Sequence, residues 1–272
     1  MIVPQLILRS GLKVQRAVEH LQALEEAAQK WGKEHGRPGF PCVVEPNPQG
    51  TKILVKIAED LPFPEIEWGI IIGDAVHCLR SALDQLVAGL WTAPPDSRTR
   101  FPICRTERQW IVDAPGMYWS IPPAYAAVLD RAQPYHRGDK ANEHPLAILN
   151  ALWNLDKHQA IPSMALSGRR IQIQVTGAKG FPDWGALKFR THPGRALKQG
   201  AVIAEASYRD ADTEPQAEVY VKAHLTVGVA FGQIATASVI SGKPVGKTFH
   251  DDLMRAVADV LRDVLDVHKA SG

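Results

Sequence analysis

Apolar residues recur at helical spacing from Ser10 to about Glu34, where Leu12, Val14, Val18, Leu21 and Leu24 alternate with Lys13, Arg16, Glu19 and Glu25. This predicts a long first helix with Ser10 as its N-cap. Pro38, Pro41, Pro46 and Pro48 forbid helix in the stretch that follows. There, Cys42-Val43-Val44 and Thr51 to Ile57 flank Asn47-Pro48-Gln49-Gly50 in the pattern of a β-hairpin. Beyond Pro62 and Pro64 a second long helix is predicted from about Glu65 to Trp91. Shorter helices follow near Thr106 to Val112, Pro122 to Arg131 and Pro145 to His158, the last with Pro145 in its first turn and Pro162 beyond its end.

From Arg170 the period changes to two. Ile171, Ile173 and Val175 face one way and Gln172 and Gln174 the other; Leu187 and Phe189 repeat the alternation, Val202 and Ile203 mark a further strand, and Val219 to Phe231 alternates throughout. Strands in succession with no helix between them imply an antiparallel sheet, whose single apolar face needs cover. The final segment, about Asp251 to His268, carries Leu253, Val257, Val260, Leu261, Val264 and Leu265 on one helical face and is the expected partner of Ile171, Ile173, Val175, Leu187, Val219, Val221, Leu225 and Val227. The predicted class is α+β: a mainly helical region 1–165 with a hairpin near 41–58, then an antiparallel sheet and a C-terminal helix packed on it in 166–272. No repeat or long linker separates the regions, so one continuous domain is the other arrangement they allow.

Composition narrows the function without naming it. The 272 residues are 45% hydrophobic and 22% charged, ordinary for a folded chain. Lysine and arginine number 31 against 29 acidic residues, which gives no electrostatic case for a dedicated nucleic-acid binder or a membrane-surface protein. Cys42, Cys78 and Cys104 are widely spaced and odd in number, against a disulfide framework or a thiolate zinc site. With no signal-peptide pattern at the start and no apolar run of spanning length, a cytoplasmic protein is expected. No cofactor is expected either. Ser241 to Thr248 (SGKPVGKT) approximates a phosphate-binding loop, but Ser241 replaces its first glycine and Pro244 removes an N–H, so a turn into the last helix is the better account. His250-Asp251-Asp252 reads as capping of that helix.

The candidate chemistry lies on the second helix. At about 100° per residue, Ile72, Val76, Leu79, Leu83, Leu86 and Leu90 form one arc, and Asp74, His77, Arg80, Ser81, Asp84 and Gln85 lie opposite. A histidine flanked by carboxylates and an arginine can orient a proton shuttle or grip a phosphate. Its short side chains, in place of lysine and glutamate, point to partial cover by another segment; a solvated face of ion pairs is the alternative. A second seam, Asn150, Asn154 and Lys157 or His158, lies opposite Leu149, Leu152 and Leu155. If it faces the second helix, His77, Asp84, Asn154 and His158 converge. No H-x-x-x-H or H-E-x-x-H spacing supports a metal there, so none is expected.

The G-D-x-x-H-x-L-R-S-A-L-D segment from Gly73 to Asp84, with Gln133-Pro134-Tyr135 and Asp156-Lys157-His158 later, resembles a family of uncharacterised bacterial and phage proteins of similar length. The resemblance spans roughly Gly73 to His158 and implies no established activity. Relatives often carry His at the position of Gln85, which completes an Arg-x-x-x-x-His motif from Arg80 similar to that of the metal-independent HEPN ribonucleases. Gln85 has no titratable nitrogen and cannot act as a general base.

The expectation for function is therefore a pocket between the second helix and the Pro145–His158 helix that takes a small anionic or nucleotide-like ligand. His77, Arg80, Asp84 and His158 are the candidates for hydrolase- or nuclease-like chemistry, and Asp74, Ser81, Asn154 and Lys157 for ligand contacts. The rival is a non-catalytic interaction protein whose helical half forms a homodimer.

Overall fold

Two long helices form the spine of the molecule, α1 (Val3–His35) and α2 (Glu65–Leu90). They run antiparallel: Leu6 near the start of α1 lies on Gly89 near the end of α2, and Trp31 near the end of α1 packs against Phe63 just before α2 begins. The computed structural model describes residues 3–35, 39–93, 99–113, 120–159, 161–179, 187–192, 196–207, 216–229 and 252–271. Helix α1 starts a full turn and more before Ser10, because Leu6 continues the apolar stripe and Pro4 is tolerated in a first turn. Ser10 is therefore not a cap but a buried interior residue.

The hairpin forms as the turn sequence dictates. Strands β1 (Phe40–Pro46) and β2 (Lys52–Ile57) are joined by a turn in which the Asn47 carboxamide oxygen accepts from the backbone N–H of Thr51 and of Lys52, both at 2.8 Å, and Gly50 adopts φ 66°. Ile53, Val55 and Ile57 point into the core at every second position. Downstream come α3 (Glu107–Asp113), α4 (Pro123–Arg131), a 3₁₀ segment over Pro134–Glu143, and α5 (Pro145–Asp156). The remaining strands are β3 (Ser163–Lys179), β4 (Arg190–Thr191), β5 (Val202–Ser207) and β6 (Gln216–Val229), and the chain ends in α6 (Arg255–Ser271). Leu187 and Phe189 precede the short β4 and are not part of a strand.

All strand pairs are antiparallel, in the order β3-β6-β1-β2-β5-β4. The protein is α+β, and the hairpin from the first 60 residues sits inside the sheet, bonded to β6 on one side and β5 on the other. The sheet's helical cover is α1 against β6 and α2 against β3. Helix α6 buries Val257, Val260, Leu261 and Val264 as its pattern requires, but its main partners are α1, α4 and α2. The sequence alone pairs that stripe with the sheet; the two longest helices occupy the place instead. Phe231, Ser241 to Thr248, His250 and Asp251 lie outside the described residues.

Candidate functional site

The apolar arc of α2 is wider than its pattern of leucines shows, because both flanks are covered: α1 packs on one side, α5 and the segment Phe101–Cys104 on the other. Arg80, on the polar face whose short side chains point to partial cover, is 3% exposed. Its Nη2 donates to the Phe101 carbonyl at 2.6 Å and lies 3.0 Å from Asp84 Oδ1, one turn along the helix. The same carboxylate oxygen accepts from the Phe101 N–H at 2.9 Å, so Arg80 and Asp84 hold both polar groups of one backbone residue. The other end of the segment is fixed by Gln133, whose buried side chain accepts from the Cys104 N–H at 3.0 Å and donates to the Leu129 carbonyl at 2.8 Å. The Tyr135 N–H donates to the Cys104 carbonyl. Arg, Asp, Gln and Tyr of the resembling motifs thus rivet one extended segment against the helices.

That clamp leaves the Arg80 guanidinium incompletely served. Its Nε and Nη1 are buried and have no hydrogen-bond partner among the described residues. Burial pulls its pKa below the usual arginine range, Asp84 opposes the change and the nearby Arg100 adds to it. The Trp153 ring lies 5.1 Å from the guanidinium carbon, a cation–π contact that compensates in part.

Arg80 borders a cavity of about 360 Å³ between α2, the segment Arg100–Ile103 and α5. Arg100 and Lys157 add two further cations at exposed positions, Asn150 and Asn154 bring the amide seam of α5, and Phe101, Trp153 and Val112 supply apolar wall. Lys157 Nζ sits 3.3 Å from the centre of the Trp153 ring and bonds the Asn154 side-chain oxygen at 3.4 Å. A site with three cations, two carboxamides and an indole can receive an anion by charge-assisted hydrogen bonds and a flat group by stacking.

Of the predicted site residues, Arg80, Asn154 and Lys157 meet in this cavity, with Asp84 behind Arg80. The others lie elsewhere. His77 is exposed and its Nε2 faces Ser81 Oγ at 3.4 Å, not Asp84. Asp74 is exposed nearby, Gln85 is exposed too, and His158 lies on the surface just past α5. Asp156 lies against Gly73: a Cβ there would overlap its carboxylate, and one at Gly69 would overlap the Ile161 carbonyl. Gly69 thus admits the Ile161 backbone, and Gly73 the Asp156 carboxylate, against the surface of α2. Burial raises the Asp156 pKa, with Asp74 adding and His77 opposing.

The sequence reading passed over Arg100, Phe101 and Trp153 as site residues. The signal available was the apolar run Phe101-Pro102-Ile103-Cys104 after a basic residue, which has to be buried somewhere and brings Arg100 to the edge of whatever buries it. A second cavity of about 330 Å³ lies between α4, the start of α5 and α6, where Arg131, Arg137 and Arg255 face Asp252, Asp259 and Asp263. Its half-buried His144 is already employed: Nδ1 accepts from the Leu146 N–H at 3.1 Å as the N-cap of α5.

Among the described residues no helix is long and apolar enough to cross a membrane, and no group of three or more His, Cys, Asp or Glu could hold a metal ion. Fold and site together define an α+β protein with a cationic, indole-walled cavity. Comparison of the chain with protein-family models, curated proteins and solved structures gives no match.

Proposed function

We propose that this is a ligand-binding protein whose cavity between α2, Arg100–Ile103 and α5 takes a small anion. The observation that carries the reading is the buried Arg80, with two nitrogens unpartnered among the described residues, beside Arg100 and Lys157 in one cavity. A buried cation whose hydrogen bonds are incomplete costs stability, and an anion in the cavity beside it offsets that cost through its charge. The described lining contains no histidine or carboxylate, so the cavity itself offers binding and orientation but no general base. His77 and His158, the residues that could shuttle a proton, stand outside it. Binding without hydrolase or nuclease chemistry is therefore the better-supported reading.

The test is calorimetric titration with sulfate, inorganic phosphate and adenosine monophosphate at constant ionic strength, on the wild type and on Arg100→Ala and Lys157→Ala. Both side chains are exposed, so each variant should keep the wild-type melting temperature while losing about 1.5–3 kcal/mol of anion affinity, the worth of one charge-assisted hydrogen bond. Anion affinities unchanged in both variants would place the binding elsewhere and remove this reading.

A further inference from the structure

Resting on that reading, we infer that the cavity selects a doubly charged phosphomonoester carrying a planar ring, a nucleoside monophosphate being the natural type, over singly charged anions. Charge balance is the first argument. Arg80, Arg100 and Lys157 border the cavity and carry three positive charges, while Asp84, bonded to Arg80 from behind, returns one. The described lining contributes no other charged group, so a surplus of two remains. A carboxylate or a phosphodiester brings one negative charge; a phosphomonoester brings close to two at neutral pH and three acceptor oxygens. A group with its charge spread over three oxygens suits cations placed on three sides: the helix, the clamped segment and the end of α5.

The second argument is Lys157. It lies over the Trp153 face, 3.3 Å from the ring centre. A phosphate that draws the ammonium toward itself uncovers the indole, and the exposed face is then free to stack on a ring joined to that phosphate. Anion binding and ring binding are coupled through one side chain. The volume, about 360 Å³, is within the range of small-ligand pockets.

The experiment compares phenyl phosphate, methyl phenyl phosphate, methyl phosphate and sulfate by titration calorimetry, at pH 7.5 and pH 5.0 and fixed ionic strength. At pH 7.5 phenyl phosphate should bind at least about tenfold tighter than its methyl ester, which has one charge, and tighter than methyl phosphate, which has no ring. The second phosphate pKa is near 6, so at pH 5.0 only about a tenth of the monoester is dianionic and its affinity should fall about tenfold. Sulfate, a dianion at both values, should not change, because arginine and lysine keep their charge throughout. Equal affinity for monoester and diester overturns the charge selection while the anion site stands; equal affinity for phenyl and methyl phosphate overturns the ring. Binding that is the same in an Arg100→Ala/Lys157→Ala double variant, or absent at millimolar concentration for all four probes, overturns the anion site and this inference with it.

Discussion

Arg80 and Asp84 have two tasks that pull in different directions, and single substitutions separate them. Removing Asp84 strips the Phe101 N–H of its acceptor and leaves a buried guanidinium without its counter-charge. Asp84→Ala should therefore cost about 2–4 kcal/mol, below the full cost of breaking a buried pair because the carboxylate is partly exposed. Arg80→Met keeps much of the apolar packing against Trp153 while deleting the unpartnered nitrogens, so its loss should be smaller than that of Asp84→Ala: the bond to the Phe101 carbonyl, the pair with Asp84 and the cation–π contact go, but no buried charge is left without a partner. Chemical denaturation measures both; an Arg80→Met variant as unstable as Asp84→Ala would show the guanidinium to be fully satisfied in the folded protein and required for packing alone. Sequence spacing placed these two residues one turn apart correctly. Short side chains on the face they share point to cover by another segment but not to which one, because the covering segment lies 17 and 21 residues further along the chain and its burial is a tertiary fact.

At the scale of elements, local pattern was decisive wherever an element's own side chains determine it. The Asn47–Gly50 turn, the limits of α2 and the first turn of α5 all follow from capping, glycine and proline positions. Where one element competes with another for a surface, the pattern was silent, and so the stripe on α6 could not name its partner. Helix α5 also has an unusual start. His144 caps it as an acceptor, and burial pushes its pKa down to about 4, with Arg137 and then His136 adding to the effect, against 6.5 for an ordinary histidine. The folded state thus holds fewer protons than the unfolded state between those values. The stabilisation is fully present above pH 6.5 and is lost as pH falls toward 4, because the protonated ring can no longer accept from Leu146. His144→Asn supplies an acceptor that does not titrate. The wild type should lose melting temperature faster than this variant between pH 6.5 and 4, and run parallel to it above pH 7. Parallel curves across the whole range would mean that the cap contributes nothing.

Taken as a whole, the molecule is tied together by the position of its hairpin. Strands β1 and β2 come from the first 60 residues, yet β1 pairs with β6 and β2 with β5, so the sheet cannot close without both ends of the sequence. Helices α1 and α2 then cover that sheet while α5 and α6 pack on α2, and the cavity proposed as the ligand site has α2 as one wall. No surface divides residues 1–165 from 166–272 that would not cut this sheet. Unfolding should therefore be a single transition, reported identically by helical circular dichroism and by tryptophan fluorescence, although the tryptophans in the described residues all lie before β3. Val55, fully buried in the middle of β2, offers the sharpest check. Val55→Ala removes two methyl groups from a packed site and should cost about 2 kcal/mol. In a chain of this size that lowers the melting temperature by roughly 3–4 °C. In one cooperative unit both signals shift together and the site loses anion binding at the same temperature. Two resolved transitions, only one of them moved by Val55→Ala, would instead divide the protein into separately folding parts and uncouple the cavity from the sheet.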